Sequence, residues 1–318
     1  GQRYYYLNVL EELDAPGVWY LYRARDLLYF WPPSSLDAGE VVFPTLEQPI
    51  LALEGTSHVT VAGITFEGSR GGGIVVRDGA ANLIAGCTVR NVGDTAILIE
   101  GGTQNGVQSC DIYEVGSTGI DLGGGDRPTL TPAGNYAVNN DIHHFARVQK
   151  TYRPGIQMRG VGNRIAHNYI HDAPHAGVLY EGNDHVMEFN EFTRVAEETG
   201  DVGAIYTCMD WTYMGTIIRH NYFHHIHGPG DLGCMTVYLD LPVGGAHIYG
   251  NVFYRLDRGF FTNSGRSIHI ENNIFVDCHP AIGFNAWRYP YMFQHGGSWK
   301  MVERLEAMNY RQPPYSTR

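Results

Sequence analysis

Lysine is nearly missing: Lys150 and Lys300 are the only two among 22 basic residues, the rest being arginine. With charged residues at 17% and a net charge of −11, there is no basic face for a phosphate backbone, which excludes nucleic acid as a partner. No apolar run reaches the roughly 18 residues of a membrane span, and residues 1–30 carry neither a charged n-region nor an h-region. The expectation is a soluble chain, already processed or trimmed, with no membrane partner. The five cysteines (Cys87, Cys110, Cys208, Cys234, Cys278) form no C-x-x-C pair and are odd in number, so neither a zinc or redox motif nor a complete disulfide framework is supported.

What the chain has in quantity is glycine, 40 residues, and tyrosine, 21, within a hydrophobic content of 43%. That balance favours many strands and tight turns over charge-laced helices. From about residue 58 to 285 one pattern recurs: a short apolar strand, Asn or a small residue, one or two apolar residues, a turn, then Gly or Ala opening another apolar strand. The inner turn aligns as GITF, CTV, CDI, NDI, NYI, NEF, NYF, NVF and NIF. From Cys87 through Cys110, Asn140, Asn168, Asn190, Asn221 and Asn251 to Asn273 the steps are 23, 30, 28, 22, 31, 30 and 22 residues.

Steps of 22–23 fit one minimal turn of a parallel β-solenoid, and the longer steps carry inserted loops. The predicted fold is all-β, a single-stranded right-handed parallel β-helix over 58–286. An N-terminal accessory element with a β-hairpin (1–57) precedes it, and a tail with a short helix beginning near Ser298 (287–318) follows. The asparagine column reads as an internal amide ladder, each side chain bonding its neighbours. A bare solenoid end is an aggregation hazard, so the ends call for further chain or a partner.

The second strand of each coil aligns as GIVV, AILI, GIDL, GIQM, GVLY, GAIY, TVYL, GFFT and AIGF. The residue after each run gives the column Arg77, Glu100, Gly123, Arg159, Glu181, Thr207, Asp240, Asn263 and Asn285, and alternation puts Asp121 and Gln157 on the same side. Asp201 enters the sixth of these strands and Asp210 leaves it, both expected at the surface. Stacking puts Glu181 and Asp240 two coils, about 9–10 Å, apart. Carboxylates gathered at one groove suit acid/base work on a glycosidic bond, so Asp201, Asp240 and Glu181 are the catalytic candidates. Exposed acids at strand ends also cap turns, which is the competing reading of each.

Trp211 and Tyr213, beside Asp210, offer apolar planes for a sugar ring. Arg159, His171, His224 and Asp210 complete the candidate substrate contacts. The HHIH run at His224 to His227 falls on a turn and reads as hydrogen bonding rather than metal binding. No cofactor is expected; a loop-bound Ca²⁺ would be compatible, although no spacing requires one.

The LDAPGVWYL and LYFWPP segments, followed by coils containing GDVGAIYT, TIIRHNYFHHI and VYLDL, resemble the right-handed parallel β-helix proteins of glycoside hydrolase family 141. The resemblance spans nearly the whole chain. It implies a part of a longer protein, and a glycosidase acting on plant cell-wall glycans of the fucoside or xylan type, with Asp201 and Asp240 as the matching acids. Carbohydrate is then the expected partner, and a secreted or periplasmic location the expected one. The alternatives are a polysaccharide lyase, for which Arg159, Lys150 and Arg153 would supply cations, and a non-catalytic sugar-binding or structural solenoid.

Overall fold

The structure, a computed structural model, describes residues 6–39, 41–286 and 300–318, in two compact units, Gly1–Pro44 and Thr45–Arg318. In the first unit Trp19–Tyr22 pairs antiparallel with Leu27–Phe30, Trp19 opposite Phe30. Asn8 locks the hairpin from the side, donating to the Leu21 carbonyl at 3.1 Å and accepting from its amide at 2.6 Å.

The second unit is a parallel β-helix of the right-handed sense that parallel crossovers favour. Its three sheets have ten, nine and nine strands, each strand bonded to its equivalents one coil before and after. The ten-stranded sheet (sheet A) runs from Leu51–Glu54 to Ile282–Asn285; sheet B runs from Thr60–Ala62 to His269–Glu271, and sheet C from Thr65–Ser69 to Ile274–Cys278. The coils therefore start within the segment that the repeat count left to the accessory element, because Leu51–Glu54 already pairs with Ile74–Arg77.

The asparagine ladder lies at the corner between sheets B and C. The side-chain oxygen of each Asn from 168 to 273 accepts the backbone N–H and side-chain amide of the Asn one coil earlier, at 2.8–3.0 Å. Cys110 enters the same column by donating its backbone N–H to Asn140. A second ladder, at the corner between sheets A and B, escaped the sequence reading: Asn82, Asn105, Asn135 and Asn163 pass the same bond along, and the last N–H ends on His185 Nδ1 at 3.3 Å. Within the coil, Phe192, Phe223, Phe253 and Phe275 stack with ring centroids 4.6–5.0 Å apart, the inter-strand spacing made visible in side chains.

The terminal helix is Met301–Ala307, with Lys300 at its N-cap in the left-handed region; Ser298, the expected cap, lies outside the described residues. The segment after it docks on the coils. Tyr315 donates to the Arg127 carbonyl at 2.9 Å and to Asn183 at 3.2 Å, and Arg318 forms an ion pair with Asp184.

Candidate active site

Side chains of sheet A alternate between core and solvent, and two outward rows result. One is Asp121, Gln157, Leu179, Tyr206, Tyr238 and Phe261; the other is Arg159, Glu181, Cys208, Asp240 and Asn263. Thr207 does not belong to the second row. It pairs with Leu239, faces the core, and donates its hydroxyl to the Tyr180 carbonyl at 2.7 Å. The equivalent of GVLY is AIYT rather than GAIY, and a one-residue slip in a strand exchanges its faces.

Asp240 ends the strand Met235–Asp240. Its two oxygens accept from Tyr206 Oη at 2.8 Å and Asn263 Nδ2 at 2.7 Å. The same Asn263 amide reaches Tyr238 Oη at 2.7 Å, and that hydroxyl approaches Asp201 Oδ1 at 3.4 Å. A chain of two polar groups thus links the acids. Asp201 sits on the turn before Ile205–Cys208 with φ 55°, its N–H held by the Gly233 carbonyl at 3.0 Å. Burial of its carboxyl raises its pKa above the ordinary value, and the charge of Asp240 raises it further. Between Asp240 and Glu181 in the row, Cys208 is pushed up to about 11, first by burial, which keeps it a thiol and unsuited to nucleophilic attack.

Along the same face, two to four coils from Asp240, a cleft of about 280 Å³ opens among Asp121, Tyr152, Arg153, Gln157, Arg159 and Glu181. Asp121 accepts from Arg159 at 2.8 Å through Oδ2, while its buried Oδ1 has no partner. Burial raises its pKa to about 6 against the opposing pull of Arg159. Tyr152 connects the two places: it lines the cleft, and after burial its phenol is raised by Cys208, Asp201 and Asp240. Asp121 is the acid the sequence reading did not select, though its position as the one charged residue inside the apolar run GIDL was the available signal.

The other candidates divide. Glu181 and Arg159 are neighbours in register on exposed positions of sheet A. Asp210, expected at the surface, is buried. Its carboxyl caps the following turn through the N–H of Thr212 at 2.8 Å, and Arg127 stands 3.7 Å away. Tyr213 is also buried, under the guanidinium of Arg127 at 4.8 Å, so it packs its loop and offers no open plane; Trp211 is half-buried. His171 and His224 project from sheet C, not sheet A, and are bonded there to Asp141 and Glu191. Insertion length brought these loops to attention, but length does not say which way a side chain points.

The profile of the family described as the right handed beta helix region matches residues 47–151 and 154–289. The chain belongs to that family. No curated protein sequence matches this β-helix. Among solved structures, a glycoside hydrolase is similar over 87% of this chain and 58% of its own, at 17% identity and a TM-score of 0.62. The β-helix described here thus spans less than two thirds of that protein's length. A pectate lyase, Pel9A, is similar at 13% identity and a TM-score of 0.42, over 76% of this chain and 73% of its own. An alginate lyase from Paenibacillus sp. str. FPU-7 is similar at 14% identity and 0.44, over 76% and 92%. At these identities the likeness is one of fold. No helix among the described residues is long and apolar enough to cross a membrane.

Proposed function

We propose that the chain is a glycoside hydrolase whose working carboxylates are Asp240, on the outward face of sheet A, and Asp201, on the turn that enters the neighbouring strand. The observation that carries this reading is their unequal surroundings within one linked group. Asp201 has a raised pKa and stands ready to hold a proton, the condition of a general acid. Asp240 uses both oxygens as acceptors, from Tyr206 and Asn263, which suits a base or nucleophile. In this proposal Asp201 protonates the departing glycosidic oxygen while Asp240 assists attack at the anomeric carbon, directly or through water. Glu181, Arg159 and Tyr152 extend the binding face toward the Asp121 cleft. The resemblance to family 141 directs attention to fucosides and xylans from plant walls.

A second reading, a polysaccharide lyase, is favoured by one feature: Arg153 and Arg159 line the cleft that holds the raised Asp121, a pairing of cations with a titratable group. Incubating the chain with a panel of fucosides, xylans, pectins and alginates separates the two. Hydrolysis releases reducing ends without ultraviolet absorbance of an unsaturated uronide, and Asp201→Asn or Asp240→Asn lowers the rate by roughly 10²–10⁴-fold. Product that absorbs, and that survives both substitutions, would transfer the assignment to the lyase.

A further inference from the structure

Sheet C carries a second cluster of polar side chains, on a sheet other than the one that bears the carboxylates. Asp141 and His143 belong to one strand and, being two residues apart, point to the same side; His143 pairs in register with His171 on the next coil. One ligand atom from each of the three lies within 4.8 Å of the others. The imidazoles of His143 and His171 are stacked, 4.8 Å between centroids and 15° between planes, with Tyr113 on the far side of His143.

The hydrogen bonds around the cluster fix its polarity. Arg194 holds Asp172 through both carboxylate oxygens, at 2.5 and 2.9 Å, so Asp172 is an ionised acceptor. It faces His171 Nδ1 at 2.5 Å, which therefore carries the proton. Nε2 of the ring then stands 2.9 Å from Asp141 Oδ1. On His143 the Nδ1 is likewise engaged, with His144 Nδ1 at 2.6 Å, and Nε2 is left over. A carboxylate or ring behind Nδ1, with Nε2 presented outward, is how proteins orient histidines toward a metal ion.

We propose that Asp141, His143 and His171 form a surface site for a divalent transition-metal ion, of the two-imidazole, one-carboxylate kind suited to Zn²⁺. The His171 to Asp141 contact, at 2.9 Å, is somewhat shorter than the spacing of two ligands on one ion. Ligands roughly 2.0–2.1 Å from zinc stand roughly 3.4 Å apart, so binding requires that this contact open and that the His143 ring turn out of its stack on His171. Sheet C contains its own comparison. His224 repeats part of the arrangement, with Nε2 at 2.9 Å from Glu191 and Nδ1 at 2.9 Å from His225, but its register neighbours are Thr193 and Tyr254, so neither adjacent coil places an imidazole beside it.

Calorimetric titration of the metal-free chain with Zn²⁺, with Ca²⁺ as the hard-ion comparison, tests the site. One Zn²⁺ per chain is expected, with affinity falling at least tenfold in His143→Ala and in His171→Ala, unchanged in His224→Ala, and no comparable Ca²⁺ binding. Visible absorbance of bound Co²⁺, lost in the same two variants, gives a readout separate from stability, and His143→Asn serves if the alanine variant fails to fold. Absence of Zn²⁺ binding, equal binding in a His143→Ala/His171→Ala double variant, or equal weakening by His224→Ala would overturn the proposal.

Discussion

Asp121 and His185 show how one side chain sets a response to pH. Asp121 has a folded pKa of about 6 against an ordinary 3.8, so the fold holds its proton more tightly than the unfolded chain does. Its contribution to stability is complete below pH 3.8 and is lost as pH rises through about 6. Asp121→Asn removes that contribution, and melting temperatures measured across pH 3.5–7 should fall further toward acid in the variant than in the parent. Buried His185 works in the opposite sense. Burial lowers its pKa to about 4 from 6.5, and Nδ1 of the neutral ring accepts the Asn163 N–H. Its contribution is complete above pH 6.5 and is lost as pH falls through 4. Buried His175, also lowered to about 4 by burial, adds to the same acid loss. The two histidines outweigh Asp121 and the raised Asp201, so the parent should melt earlier at pH 4 than at pH 7.

At the scale of the element, the ladders and the phenylalanine stack are the units that fail together. In His185→Asn the amide oxygen replaces Nδ1 as the acceptor and extends the ladder at the corner of sheets A and B by one more asparagine. The variant should retain the parent's stability at neutral pH and lose less of it on acidification, as thermal denaturation at the two pH values would show. In the ladder at the corner of sheets B and C, Asn190→Ala strands the backbone N–H and one side-chain N–H of Asn168 in the core. Each buried donor left without a partner costs about 1–3 kcal/mol, so denaturant unfolding should find a loss of about 2–5 kcal/mol. Phe223→Ala opens the stack between Phe192 and Phe253 and should cost about 3–5 kcal/mol in the same measurement. Because a solenoid coil contacts mainly its neighbours, these losses should loosen the coils beside the change before the distant ones, visible as a gradient in hydrogen exchange.

Across the second unit, connections between distant coils matter most where loops and tail converge. Arg127 donates to Asn183 at 3.1 Å and to Thr212, covers the ring of Tyr213, and stands by the buried Asp210, while its carbonyl receives Tyr315. Arg127→Ala leaves Asp210 with Arg304, 3.9 Å away, as its remaining cation, and should cost about 3–5 kcal/mol in denaturant unfolding. The double variant Arg127→Met/Asp210→Leu should recover part of that loss, since it buries no lone charge. The inserted loops that suggested a binding surface have, at Asp210 and Tyr213, this fastening role instead.

The coil repeat, the amide ladder and the outward column on sheet A follow from the sequence, because β pleating has a period of two and stacking turns equal spacing into neighbourhood. Glu181, Arg159 and Asp240 were placed correctly on one face by that rule alone. Three things needed the tertiary structure. The register of the GAIY strand depended on the hydrogen bonds of its loop-bounded neighbours, and a slip of one moved Thr207 from surface to core. The burial of Asp210 and Tyr213 depended on Arg127, more than eighty residues away in the chain. The separation of His171 and His224 from the carboxylates depended on which of three sheets each strand joins. Sequence order fixes position along a coil, but whether a side chain meets water, a cation or another acid is decided by segments that only folding brings beside it.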